Sequence, residues 1–391
     1  MRARVLAAVA TTLVAGILGV LALGVAGTLL YDVPMLGLAT GFVPPVMSWF
    51  VIAAVLMVPA PIALWRWRRA RTAVALIAVA VLTAAGGSFV IARQVSAVED
   101  AGARVDLLDT LSVWSAPGAA PDADETYGTF EGKPLGLSVF RPAPGGPPAP
   151  VLVFVHGGGW VAGERNAHAA DFRWFADRGW LTISVGYSFS SSQRHLWDVV
   201  QSQIGCALTW VAANAGRYGG DGARLSLSGD SAGGNLAINV GYLSAREPAN
   251  SSCAGTMPRV SAVSTLYPAV DPAAVYDNPD PVLGDTSRGF AAAYLGGSPT
   301  EFPERFAAVA GATYIGPGAP PVLILLGATD HLVPVDGAYR FADQARDAGL
   351  DVRVVSVPYA DHVFDARPGS IGQQAFRQLT ASWLRDHGQG P

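Results

Sequence analysis

Charge is scarce in this chain. Only 14% of its 391 residues are Asp, Glu, Lys or Arg, and the formal net charge is −4. There is no basic field to hold phosphates, which excludes a nucleic-acid partner. Cysteine is scarcer still, and two of them furnish neither a structural zinc site nor a disulfide-dense scaffold. Acids are almost missing from the first 98 residues, which hold seven arginines and one carboxylate, Asp32. The remainder carries 19 basic and 29 acidic side chains, a net of −10. Two parts of one chain so different in charge point to two different solvents. What is plentiful is apolar: 51% of the residues are hydrophobic, which rules out a disordered chain.

Three uncharged runs, Val5–Leu30, Val43–Leu64 and Thr72–Ala92, are 26, 22 and 21 residues long. A helix rises about 1.5 Å per residue and the hydrocarbon layer is about 30 Å thick, so each run is long enough to span. A cleaved signal peptide is the alternative for the first, because Arg2 and Arg4 resemble a basic leader. That run is longer than a signal core of about 7–15 residues, and two more spans follow. Three retained helices over residues 1–98 are therefore expected, a membrane anchor. Pro44, Pro45, Pro59 and Pro61 lie near the ends of the second run, where a missing N–H costs least. Gly16, Gly19, Gly24 and Gly27 in the first permit close helix contact. The spans contain no Asp, Glu, Lys or His, which argues against a transporter or pump. Arg2 and Arg4 precede the first span and Arg66, Arg68, Arg69 and Arg71 fill the second loop, while Tyr31–Phe42 has no basic residue. The positive-inside rule then puts the N-terminus and second loop in the cytoplasm and everything after the third span outside.

Residues 99–125 turn acidic, and Ser115–Pro121 is small and Pro-containing, so this stretch reads as a linker. Beyond it, residues 126–391 alternate short apolar runs with amphipathic ones. Candidate strands are Val151–Val155, Leu181–Tyr187, Leu225–Ser228, Val260–Leu266, Val322–Gly327 and Val352–Val357. Leu196–Ala215, Ala232–Arg246, Ala338–Ala348 and Gln373–Asp386 are candidate helices. This alternation implies an α/β fold, a mostly parallel sheet with helices on both faces. Tyr127–Arg141 precedes it as an antiparallel pair turned at Glu131–Gly132.

In such sheets functional residues collect at the carboxyl ends of strands. Leu225–Ser228 runs into Gly229-Asp230-Ser231-Ala232-Gly233 and then a helix, the setting in which G-x-S-x-G projects a nucleophilic hydroxyl. Val151–Val155 ends at His156-Gly157-Gly158-Gly159-Trp160, where glycines let backbone N–H groups face a developing oxyanion. Two later strands end near Asp330 and His362, completing the chain order Ser, Asp, His. The imidazole takes the serine proton and the carboxylate fixes its tautomer. Asp336 and Asp361 compete as acids, and His331 and His387 as bases. His156 precedes the serine and is assigned to orienting its loop.

His156-Gly-Gly-Gly-Trp160, Gly229-Asp-Ser-Ala-Gly-Gly-Asn-Leu-Ala237, Asp330 and His362 together resemble the hormone-sensitive-lipase-like branch of the α/β-hydrolase carboxylesterases, over about Tyr127–Asp386. The resemblance implies Ser231 as nucleophile, Asp330 as acid and His362 as base, with Gly158, Gly159 and Ala232 as oxyanion donors and no metal or organic cofactor. Two departures touch the substrate mouth. Ser188-Phe189-Ser190-Ser191 stands where the family often has Arg-Leu-Ala-Pro, and the membrane segment replaces the N-terminal cap helices. Acyl preference therefore does not carry over. In this fold the helix bearing Cys206 and the helix preceding Cys253 flank the nucleophile strand. A bridge and two buried thiols both remain open. The expectation is a membrane-anchored esterase acting on a small-molecule or lipid ester outside the cytoplasmic membrane. An amidase, an acyltransferase or a non-catalytic binding protein are the alternatives.

Overall fold

The computed structural model describes residues 2–65, 70–112, 119–246 and 251–391. Arg66, Arg68 and Arg69 of the expected cytoplasmic loop, and residues 113–118 of the linker, lie outside the described residues. The chain divides into two compact units.

The first unit is helical. It comprises α1 (Arg2–Leu29), α2 (Met47–Met57), α3 (Pro59–Trp65) and α4 (Ala70–Asp100), with short 3-10 turns at Gly37–Gly41 and Pro44–Val46. Three segments, Ala8–Leu29, Pro44–Ile62 and Ala70–Asp100, are long and apolar enough to cross a membrane. Leu13, Val20, Leu23, Leu56 and Leu82 are each more than 60% exposed, the pattern of helices whose outer faces meet lipid rather than water. Pro59 interrupts the second run: helix ends at Met57 and resumes with Pro59 in its first turn, where no N–H is required. Close packing rests on glycine. A Cβ on Gly24 would sit 2.7 Å from the Phe50 ring, and one on Gly87 would sit 2.7 Å from Val51. Gly16 and Gly19 face open space. The unit also takes in Gly327–Thr329 and Val357–Gln374.

The second unit holds one eight-stranded sheet: β1 (Ala123–Phe130), β2 (Lys133–Phe140), β3 (Ala149–Val155), β4 (Leu181–Val185), β5 (Gly220–Asp230), β6 (Ala262–Leu266), β7 (Val322–Gly327) and β8 (Val352–Val357). Their order is β1-β2-β4-β3-β5-β6-β7-β8. β1 and β2 form the expected hairpin, with Phe130 opposite Lys133. Its two-residue loop has positive φ at Glu131 (49°) and Gly132 (76°), the combination a tight hairpin requires. β4, β3, β5, β6 and β7 run parallel. Every residue of β3, β4, β6 and β7 is buried, because helices cover both faces of a parallel sheet. The helices include α5 (Ala169–Ala176), α6 (Val200–Asn214), α7 (Ser231–Arg246) and α8 (Pro272–Tyr276). α9 (Gly284–Leu295), α10 (Pro303–Val309), α11 (Val335–Asp347) and α12 (Ile371–Asp386) follow, α12 starting within the helical unit. Cys206 and Cys253 are joined by a disulfide, with Cα atoms 5.1 Å apart.

β3 is flanked by β4 on one side and β5 on the other, so chain direction across the sheet reverses there. At such a switch point the loops leaving two neighbouring strands diverge and open a crevice. The register pairs Val155 with Gly229, which puts the ends of β3 and β5 side by side.

Candidate active site

β5 ends at Asp230 and α7 begins at once with Ser231, whose φ is +52°. That left-handed conformation costs a non-glycine residue of order 1 kcal/mol or more, and the packing around the turn enforces it. A Cβ on Gly229 would lie 2.5 Å from the Gly233 carbonyl oxygen, and one on Gly233 would strike the Val155 and His156 carbonyls. Only glycine fits at either position. The first residues of α7 put Ser231 and Ala232 at a helix N-terminus, where backbone N–H groups have no partner within the helix.

The loop after β3 lies against this turn. Gly157 N–H donates to Asp230 Oδ1 at 2.7 Å. Gly158 (φ 119°) and Gly159 (φ 61°) occupy conformations that favour glycine, and Trp160 follows at φ 62°. A side chain on Gly158 would collide with the Ala162 carbonyl, and one on Gly159 with the Phe290 ring of α9. Trp160 is buried and stacks on Tyr294, ring centroids 4.7 Å apart and nearly coplanar. His156 stacks on Tyr187 at 4.5 Å, its Nδ1 lies 2.7 Å from the Gly157 carbonyl, and its own carbonyl accepts from Tyr187 Oη at 2.8 Å. These contacts suit the loop-orienting role expected of His156. Burial pushes its pKa down, and the Gly157 carbonyl and nearby Asp230 charge offset that only in part.

Sequence reading missed the groups behind Asp230. Arg377 Nε donates to Asp171 Oδ1 at 2.7 Å, His168 Nδ1 lies 3.3 Å from Asp171 Oδ2, and His168 Nε2 lies 3.8 Å from Asp230 Oδ1. Burial favours the neutral form of Asp230. The His168 imidazole, Gly157 N–H and His156 outweigh it, so the carboxyl titrates below its usual range. The signal for this row was the acid within Gly229-Asp230-Ser231; its partners, more than 50 residues away, had none.

Asp330 lies just past β7. Its Oδ1 accepts the N–H groups of Leu332 and Val333 at 2.9 and 2.8 Å, an Asx-type turn that fixes the carboxylate. The preceding residue, Thr329, belongs to the helical unit, as does His362. There Thr329 donates both its N–H (3.0 Å) and its hydroxyl (2.9 Å) to the Ala360 carbonyl, two residues before His362. Thr329 is thus tied to the segment that carries His362. His362 is buried and its N–H donates to Asp361 Oδ1 at 2.7 Å. Among the competing groups, Asp336 is exposed in the first turn of α11. His387 lies near the C-terminus against Trp383 and Asp351.

A parallel sheet with its switch point at β3, a glycine loop there and a serine on a strained strand-to-helix turn define an α/β-hydrolase. The chain belongs to the BD-FAE family, whose model matches residues 137–344. Among curated proteins it is similar to the probable carboxylic ester hydrolase LipM of Mycobacterium tuberculosis, 29% identical over 63% of this chain and 57% of that protein. It is also similar to the ethyl acetate hydrolase of Pseudomonas putida, 26% identical over 71% and 87% of the two chains. The chain spans little more than half the length of LipM and of the mycobacterial esterase LipC. The butyrate-bound esterase of Thermogutta terrifontis shares the fold, with a TM-score of 0.58 at 23% identity, covering 70% of this chain and 97% of that one. The expected resemblance to carboxylesterases of the α/β-hydrolase class is thereby borne out.

Proposed function

We propose that the protein is a serine carboxylesterase, with residues 1–98 as its membrane anchor, 99–125 as linker and 126–391 as catalytic part. The observation that carries this reading is Ser231 held at φ +52° at the head of α7. In the proposed reaction His362 takes the Ser231 proton as Oγ bonds to the ester carbonyl carbon. Gly158, Gly159 and Ala232 N–H groups stabilise the oxyanion, and Asp330 steadies the imidazolium. The alcohol leaves with the proton, and water, activated by the same imidazole, releases the acid. Relatives named as ester hydrolases support the substrate class.

The test is labelling of the full-length membrane protein with a fluorophosphonate, alongside hydrolysis of short acyl esters. Ser231→Ala should abolish labelling and lower turnover by several orders of magnitude. Asp330→Asn and His362→Ala should be severe and not additive with it. Turnover retained by folded Ser231→Ala would refute the reading. The arginine distribution supports a catalytic part outside the cytoplasmic membrane. Protease added to intact spheroplasts should then digest it. Digestion only after lysis would place it inside.

A further inference from the structure

Thirteen residues, 358–370, join β8 to α12 and carry His362 without regular structure of their own. A segment of this length costs conformational entropy to hold still, yet a general base must stay within a fraction of an ångström of its working position. The ties that hold it come from the helical unit. Thr40, in the turn between α1 and α2, is buried, and its hydroxyl lies 2.7 Å from both Asp361 Oδ2 and the Gly37 carbonyl. One proton cannot fully serve two acceptors, and a carboxylate is the stronger. Asp361 Oδ1 in turn accepts the His362 N–H. Gln94, buried in α4, donates to the Pro358 carbonyl at 3.0 Å. Tyr359 sits edge-on to Tyr31 and Phe89, centroids 6.2 and 6.1 Å away. Farther along, Arg367 donates to the carbonyls of Pro45 (3.1 Å) and Ser112 (2.7 Å), and Gln374 exchanges two hydrogen bonds with the Asp106 backbone at 2.7 and 2.9 Å. Such specific polar ties exceed what tethering to a membrane requires.

We propose that the membrane-spanning unit is a positioning part of the esterase, and that Thr40, acting through Asp361, sets the place of His362. The proposal rests on the triad reading above. Thr40 touches no substrate; it is a positioning residue. The anchor therefore cannot be removed or exchanged without loss of turnover, even on a water-soluble ester.

The test uses the full chain in lipid nanodiscs with p-nitrophenyl butyrate, and follows kcat, KM and the melting temperature. Thr40→Val, which keeps shape and removes the hydroxyl, should lower kcat by about 10- to 100-fold with KM little changed. Thr40→Ser should restore most of it. Arg367→Met and Arg367→Lys form a second pair with the same expectation, should Thr40→Val fail to fold. Wild-type kcat in folded Thr40→Val and Arg367→Met, with turnover still dependent on Ser231, would overturn the positioning role alone. A loss that Thr40→Ser and Arg367→Lys leave unrepaired would overturn it too. Turnover surviving Ser231→Ala would remove the esterase reading together with this one.

Discussion

Gly157 N–H donates to Asp230 Oδ1 at 2.7 Å, so the glycine loop after β3 is fastened to the residue immediately before Ser231. One carboxylate thus joins the loop of the expected oxyanion donors to the turn of the proposed nucleophile. Asp230→Ala should strand a buried N–H and unbalance His168, costing about 1–3 kcal/mol of stability, with a fall in kcat. Asp230→Asn keeps an acceptor and should lose less of both. Denaturant melts and steady-state kinetics on the pair check the order; equal behaviour of the two variants would contradict it.

The two loop glycines should respond differently to a methyl group. At Gly158 it meets the Ala162 carbonyl, backbone that has no rotamer to escape into. At Gly159 it meets the Phe290 ring, 2.6 Å from the nearest atom. Gly158→Ala should lower kcat by about 10²–10³-fold, the usual effect of losing an oxyanion donor, and no second-site change should relieve it. Gly159→Ala should be relieved in part by Phe290→Ala. Kinetics of the single and double variants decide this, and an effect confined to KM would assign the glycines to substrate binding.

Buried His156 has its pKa lowered, so the folded protein disfavours its protonation while the unfolded chain does not. Its contribution to stability is intact above an ordinary histidine pKa of about 6.5 and is lost as pH falls below it. Asp230, depressed from the carboxylate range, acts in the same direction but only at lower pH. Urea melts from pH 7.5 to 5 should show a declining midpoint, and His156→Gln should flatten that decline. An unchanged slope would locate the titration elsewhere.

The bridge between Cys206 and Cys253 closes 47 residues of chain. Loop entropy would give about 4 kcal/mol in the ideal case. Reduction, or Cys206→Ser with Cys253→Ser, should lower the melting temperature by several degrees. An identical melt with and without reductant would show that the bridge adds nothing.

Much of the sheet was legible because it is buried on both faces. Val322–Gly327 coincides with the wholly buried β7; Val352–Val357 coincides with β8, which is buried only in part and was marked by an apolar run bounded by turn-forming residues. α8 and α10 escaped notice, being five and seven residues long, each with proline in its first turn. The third apolar run stops at Ala92, yet α4 continues to Asp100, because charge ends a hydropathy signal without ending a helix. Pro59 had the opposite effect, splitting a run that reads as continuous. Around the site, motifs exposed Ser231 and its glycines because their spacing is local. Thr40 and Asp361, 321 positions apart, left no such trace.

The length of α4 has a mechanical consequence. Its 31 residues extend about 46 Å, well beyond a hydrocarbon layer of about 30 Å. Gln94 sits just past the apolar stretch and holds the Pro358 carbonyl. On the proposed reading that α4 spans a bilayer, the helix would act as a ruler that sets the level of Gln94, and with it that of the segment carrying His362. Turnover is then expected to depend on membrane thickness, because a mismatch that tilts α4 would carry Gln94 and the segment it grips along with it. Nanodiscs of graded acyl length should register this as a change in turnover on one and the same soluble ester.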